Sequence, residues 1–328
     1  MAPAADWPAG PLPPHVDPAR FAARIGDGFG PDLGETWAVV AIHGGRLVFE
    51  RYGQGRTADD TCRSWSVAKS VTHALAGLLV LDGKLDIHAP ADVPEWKTPG
   101  DPRGAITLDQ LLRMSSGLKF TEAYVPGEPS DVIEMLFGAG QADTAAFAAS
   151  FPLAHAPGSF FSYSSGTTNI VSRCLARALG ASGLAFEAFM RERLFDPLGM
   201  ASATPRFDAA GTFIGSSFLF AAARDFARFG QLYLQDGVWA GRRLLPEGWV
   251  RYARTPTFQQ ADCIEGPYGA HWWLDLAGPG SFSANGYEGQ YIIVAPDRDL
   301  VLVRHGVTPE ADQPLVQAWL AELAAVFS

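Results

Sequence analysis

Ser66-Val67-Ala68-Lys69 is the arrangement in this chain best suited to chemistry. Three residues make nearly one helical turn, so a hydroxyl and an amine at this spacing share a face within reach of one another. A serine at a helix start also feels the positive end of the helix dipole. A lysine enclosed by apolar groups can lose its proton and act as a base. Together they offer nucleophilic attack on a carbonyl carbon. The same four letters also describe a helix cap followed by an exposed lysine, so the tetrapeptide alone leaves both readings open. Only four lysines occur in the chain, and a second copy of the pattern uses one of them: Ser116-Gly117-Leu118-Lys119. That copy follows a helix and contains a glycine. It is expected on a C-terminal turn without fixed geometry, as a decoy.

Other chemistries find little support. The chain has no Gly-x-Ser-x-Gly elbow, no His-Glu-x-x-His and no Cys/His cluster at zinc spacing. Gly77 to Gly83-Lys84 is one residue too long for a phosphate loop and lies inside a helical pattern. Cys62, Cys174 and Cys263 are odd in number and widely separated, which suggests neither a disulfide framework nor a metal site. No metal or cofactor is called for.

The elements that must hold the serine–lysine pair follow from periodicity. Val67, Val71, Ala74, Leu75, Leu78 and Leu79 recur at helical spacing until Asp82-Gly83. Upstream, residues 37–42 and 46–52 read as a hairpin around His43-Gly44-Gly45. Residues 1–16 carry five prolines and read as an extended arm, and Asp17-Pro18 opens a short helix to residue 25. The middle is mostly helical, at 108–115, 131–137, 143–150, 167–179, 184–194 and 221–235. Strands are expected at 269–274, 291–294 and 300–304, with Asp297-Arg298-Asp299 as a turn, and a last helix at 313–327. The fold class implied is α/β (α+β): an antiparallel sheet formed by both chain ends, flanked by helices, with a mostly helical insertion. One domain over 1–328 is expected, with an α/β lobe at 17–65 and 240–328 and a helical lobe at 66–239. The cleft between lobes would hold the site.

With 328 residues, 48% of them hydrophobic, the chain can bury a full core. Its formal charge of −10 and lack of a basic run argue against a nucleic-acid partner. No basic segment followed by an apolar one opens the chain. The longest apolar stretch, 74–81, is too short to span a bilayer. A cytoplasmic protein without a membrane partner is expected. The oligomeric state is open.

Ser64-Trp65-Ser66-Val67-Ala68-Lys69-Ser70 resembles the nucleophile motif of the serine β-lactamase and penicillin-binding superfamily. It looks most like the branch of 6-aminohexanoate-dimer hydrolases and related carboxylesterases. Further pieces follow in that family's order. Met114-Ser115-Ser116-Gly117-Leu118-Lys119-Phe120 resembles the helix and loop beside its cleft. Pro157-Gly158-Ser159-Phe160-Phe161-Ser162-Tyr163-Ser164-Ser165 resembles its Tyr-x-Asn element, with Ser165 in place of the asparagine. Tyr287-Glu288-Gly289 is the best match to the triplet expected on an inner strand, without the basic residue of penicillin binders.

The resemblance implies a two-step acyl transfer. Ser66 would be the nucleophile, with Lys69 and Tyr163 as proton-transfer groups and the backbone N–H groups of Ser66 and Gln290 as oxyanion hole. Tyr124, in Thr121-Glu122-Ala123-Tyr124-Val125, resembles a cleft-lining tyrosine of the aminohexanoate-dimer branch, and Tyr287 and Glu288 would also meet substrate. A surface-loop aromatic is the other reading of Tyr124. His305 reads as the end of a strand. The substrate implied is a small ester or linear amide. The alternatives are a β-lactamase or DD-peptidase of the same chemistry, and a non-catalytic binding protein that keeps the fold.

Overall fold

The computed structural model describes residues 7–124, 127–257 and 267–328. The main sheet has six antiparallel strands. β1 (Glu35–His43) and β2 (Arg46–Tyr52) form the N-terminal hairpin. Residues 61–222 contribute a separate small sheet of β3 (Thr61–Arg63), β4 (Thr204–Pro205) and β5 (Leu219–Ala222), in the order β3-β5-β4. β6 (Val238–Trp239) and β7 (Arg242–Arg243) make a short hairpin. β8 (Trp273–Leu274), β9 (Phe282–Gly286), β10 (Gln290–Ala295) and β11 (Leu300–Val307) complete the main sheet in the order β2-β1-β11-β10-β9-β8.

The two chain ends therefore meet at β1 and β11, paired from Glu35 opposite Val307 to His43 opposite Leu300. Their side chains alternate between faces, as a pleated strand requires. Val39, Ala41, Ile293, Leu300 and Leu302 pack on one face. Helices α1 (Pro18–Gly28) and α11 (Gln313–Ala325) cover it, through Phe21, Ile25, Val316, Leu320 and Leu323. Val40, Ile42, Ile292, Val294, Val301 and Val303 pack on the other face, in the larger core. The proline-rich arm runs beside β2, with Gly10 N–H donating to Leu47 O and Leu47 N–H to Pro8 O. That pairing occupies part of an otherwise open sheet edge.

Helix α2 (Val67–Leu81) carries the serine–lysine pair. Every residue from Val67 to Leu79 is buried, the polar ones included. The reason is its place in the core, packed against β9 and β10 on one side and against α6 (Ser165–Leu179) on another. Between them lie α3 (Leu108–Leu112), α4 (Asp131–Phe137) and α5 (Thr144–Ala149). α7 (Gly183–Met190) continues through one π-helical turn into α8 (Asp196–Leu198). α9 (Ala223–Leu234), assigned by the sequence to the helical lobe, packs on β1, β10 and β11. α10 is Trp249–Ala253. Among the described residues no helix is long and apolar enough to cross a membrane.

Two strand expectations need correcting. Only Trp273–Leu274 of the stretch 269–274 is a strand, because His271 has φ +56° and turns the chain. β9 was not anticipated: Phe282-Ser283-Ala284-Asn285-Gly286 lacks a clear alternation of apolar and polar residues, and all but Asn285 are buried.

Candidate active site

Ser66 stands at the first turn of α2 with helical dihedrals, and its side chain caps nothing. Its hydroxyl is left for Lys69, whose Nζ donates to Ser66 Oγ at 3.0 Å. The reading of a cap beside an exposed lysine fails on both counts, since Lys69 is 1% exposed. Burying an ammonium is costly unless its hydrogens are matched. Here Nζ also donates to Ser165 Oγ at 2.9 Å and to Ser216 O at 3.0 Å. The residue before Ser66, Trp65, has φ +46°. A bulky side chain is uncommon in that left-handed region and persists where packing over-determines it, often at functional sites.

The supports of this turn come from distant segments. Ser64 N–H donates to Leu219 O at 2.8 Å, and Leu219 N–H donates to Ser64 Oγ at 3.2 Å. Gly286, at the end of β9, lies against the carbonyl of Ser64, and a Cβ there would stand 2.4 Å from Ser64 O. The absence of a side chain brings the sheet edge onto the segment that carries Ser66. Behind α2, Ser70 Oγ donates to His271 O at 2.7 Å, and the His271 ring meets Thr168 Oγ1 at 2.8 Å. Burial holds the His271 pKa well below the usual imidazole range, with His73 and Lys69 adding to the effect.

Tyr163 joins the pair: the Lys69 ammonium lies 4.8 Å from its ring centroid. The ring is wedged between Tyr268 and Trp273, with centroids at 5.9 Å and 5.4 Å. Ser165, two residues on, is fully buried at the start of α6. Its Oγ donates to Glu122 Oε1 at 2.6 Å and its N–H to Glu122 Oε2 at 2.8 Å. Tyr124 donates its hydroxyl to the same carboxylate at 2.7 Å. Burial first, then the Glu122 charge, keeps that phenol protonated well above its ordinary range.

Tyr124 and Tyr287 stack at 5.1 Å, and Trp65 meets Tyr287 edge-on at 5.5 Å. All three line a cavity of about 600 Å³ that opens on Ser66. Its far wall is α4 and the residues before it, with Ile133 and Phe137 as apolar surface and Glu128, Asp131 and Glu134 as acids. No Lys, Arg or His is among the described residues that line it. Val125 lies outside the described residues.

The triplet Tyr287-Glu288-Gly289 was expected on a strand and instead forms the tight turn between β9 and β10. Glu288 has φ +63° and Gly289 φ +85°, values that no strand accommodates. Glu288 does not stand free in the cavity, since Trp65 Nε1 donates to its Oε2 at 2.8 Å. Arg304, buried to 0% exposure, holds the turn from beneath by donating to Gly289 O at 2.8 Å and Glu288 O at 3.2 Å. Gln290 starts β10 opposite Gly286 and is 2% exposed. Its side chain is committed to Gly306, at 2.5 Å to the carbonyl and 3.2 Å from the N–H. It does not line the cavity, whereas Tyr287 does. His305 sits inside β11 against Phe226, away from this group.

Sequence reasoning missed Glu122 as a member of the site. Its letter stood beside Tyr124, but the partner that gives it meaning, Ser165, is 43 residues away.

An antiparallel sheet joined by both chain ends, a serine–lysine pair on a buried helix and a tyrosine from a second helix start define a β-lactamase-type hydrolase fold. The Beta-lactamase family model matches residues 34–325, and the chain belongs to that hydrolase family. The chain is 27% identical over 327 residues to the 6-aminohexanoate-dimer hydrolase of Paenarthrobacter ureafaciens, a match covering 93% of this chain and 81% of that one. Among solved structures, a candidate 6-aminohexanoate-dimer hydrolase from Bacillus anthracis superposes with a TM-score of 0.79 at 23% identity, over 98% of this chain and 88% of the other. A family VIII carboxylesterase superposes with a TM-score of 0.70 at 15% identity, over 97% and 99%. At these identities the two structures establish the fold.

Proposed function

We propose that this chain is a serine hydrolase that cleaves small esters or linear amides through an acyl-enzyme. The observation that carries the reading is the buried Lys69, whose Nζ lies 3.0 Å from an Ser66 hydroxyl that caps no helix. Ser66 Oγ attacks the carbonyl carbon while Lys69, or Tyr163 beside it, takes the hydroxyl proton. The tetrahedral oxyanion is met by the Ser66 N–H at the positive end of α2. The second donor in this reading is a backbone N–H where the turn meets β10, that of Gln290 or of Tyr287, of which Tyr287 lines the cavity. The proton then passes to the leaving group, and water clears the acyl-enzyme by the reverse sequence.

The cavity supports a neutral or amine-bearing substrate. Carboxylates at Glu128, Asp131 and Glu134, without a cation among the described lining residues, repel a substrate carboxylate. The basic group with which a penicillin binder meets the β-lactam carboxylate has no counterpart in Tyr287-Glu288-Gly289. The test is a rate comparison on p-nitrophenyl acetate, a linear aminohexanoate amide and nitrocefin. Ester cleavage should be fastest, since a better leaving group needs less protonation, and nitrocefin slowest. Efficient nitrocefin turnover with negligible ester cleavage would put the β-lactamase reading first.

A further inference from the structure

The hydrogen bonds from Lys69 onward run in one direction. Lys69 Nζ donates to Ser165 Oγ at 2.9 Å, and Ser165 Oγ donates its own hydrogen to Glu122 Oε1 at 2.6 Å. A hydroxyl has a single hydrogen. Once the carboxylate takes it, the Ser165 lone pairs are turned toward the lysine. Glu122 is itself held by the Ser165 N–H at 2.8 Å and the Tyr124 hydroxyl at 2.7 Å. The start of α6 adds the positive end of a 15-residue helix beneath the carboxylate. Lys69 is 1% exposed and Ser165 0%. A charge on the lysine in such a place needs a balancing anion, and hydrogen bonds in a water-poor interior transmit that influence strongly.

We propose that Glu122 is a positioning residue of this site, supplying through Ser165 the counter-charge that sets the protonation and the aim of Lys69. Ser165 stands where the family resemblance calls for asparagine, and its small hydroxyl links the lysine to a carboxylate from another segment. Moving one proton along the chain converts an ammonium and a carboxylate into an amine and a carboxylic acid. Ser165 gives its hydrogen to Glu122 and receives one from Lys69, so charge and atoms balance. The role in catalysis rests on the serine-hydrolase reading given above; the charge effect on Lys69 can be measured without it.

The other groups around Lys69 are identified by segment. Tyr163 and Ser165 approach from the start of α6, Tyr124 from the segment of Glu122, and Ser216 from the segment before β5. His271, whose pKa is depressed, lies on the far side with His73. Glu288 is tied to Trp65 beside the nucleophile. Of these, Glu122 is the carboxylate bonded to a Lys69 partner.

The chain's four lysines make a direct test practical. Protein labelled with ¹³C at lysine Cε is titrated by NMR, with the Lys69 signal assigned by its loss in Lys69→Ala. A nearby anion favours the cation, so Glu122→Gln should move the Lys69 midpoint to lower pH by about 1–2 units. Glu122→Asp should restore most of it. Ser165→Ala should shift it in the same direction and keeps the test alive if the glutamine variant folds poorly. Whichever limb of the kcat/KM profile on p-nitrophenyl acetate reports Lys69 should move with the midpoint. An unmoved midpoint in folded Glu122→Gln and Ser165→Ala overturns the proposal. A midpoint that moves in a protein that cleaves no ester and takes no phosphonate label at Ser66 upholds the counter-charge and overturns the hydrolase reading instead.

Discussion

Two serine–lysine pairs of identical spacing occupy this molecule, and their surroundings differ in nearly every respect. Ser66 opens a 15-residue helix, its lysine is buried, and that lysine finds oxygen partners at the start of α2, on α6 and in the segment before β5. Ser116 follows α3, which ends at Leu112, and it lies in irregular chain. Its Oγ accepts from Leu118 N–H at 3.3 Å and meets Thr167 Oγ1 at 3.4 Å, so it braces its own loop. Gly117 between them has φ +78°, and a Cβ there would stand 2.2 Å from His155 O. That kink breaks the one-turn geometry, and Lys119 points to solvent. Spacing makes a serine and a lysine neighbours only on a continuous helix, and only a core around it makes the lysine a candidate base.

The largest expected effect separates the pairs outright. Ser66→Ala should reduce ester turnover by roughly 10⁴-fold or more, the scale of losing a nucleophile, and abolish labelling by a serine-directed phosphonate. Peptide mapping that finds the label on Ser116 would reverse the assignment of the two pairs.

Next come the proposed proton-transfer groups. Tyr163→Phe should lower turnover by roughly 10²–10⁴-fold, and Lys69→Ala at least as much, because it removes a buried cation as well. Near-normal rates in either variant, measured on folded protein, would show that the base lies elsewhere.

A pH effect should follow, centred on the buried side of the first pair. His73, one turn beyond Lys69, is pushed down to about 3 by burial, and His305 to about 3 for the same reason. With His271 they are folded as neutral rings. Depressed histidines bind protons more readily when unfolded, so their contribution is complete above about pH 6.5 and is lost as pH falls from there toward 3. Each can remove up to about 1.4 kcal/mol of stability per pH unit in that window. Urea unfolding between pH 7.5 and 4 should show the decline, and His73→Gln should flatten its slope. A flat profile would mean these rings are protonated in the fold.

The smallest effects belong to the second pair. Ser116→Ala should cost about 1 kcal/mol for its loop hydrogen bonds, and Lys119→Ala within about 0.5 kcal/mol. Both should retain ester turnover within a few-fold, and a loss comparable to that of Lys69→Ala would erase the distinction drawn between the pairs.

Much of this protein was legible before any tertiary structure. Ser66 and Lys69 share a helix turn by spacing alone, and Val67 to Leu79 carry enough apolar residues to draw that helix inward. The hairpin around Gly44-Gly45 follows from a local turn and from runs of Val, Ile and Leu, whose relation the backbone itself dictates. The pairing of both chain ends in one sheet was legible from the order of elements, with strands at either end of a helical middle. The rest was decided by segments that meet only in the folded chain. Glu122 bonds Ser165, and Tyr124 stacks on Tyr287 from a distant segment of the chain. Tyr287–Gly289 leaves the strand because Glu288 and Gly289 adopt positive φ over Arg304, a buried residue of β11 that donates to Gly289 O and to Glu35 O of β1. Burial and charge pairing depend on what packing brings close, and no local pattern encodes which distant side chain will fill a given place.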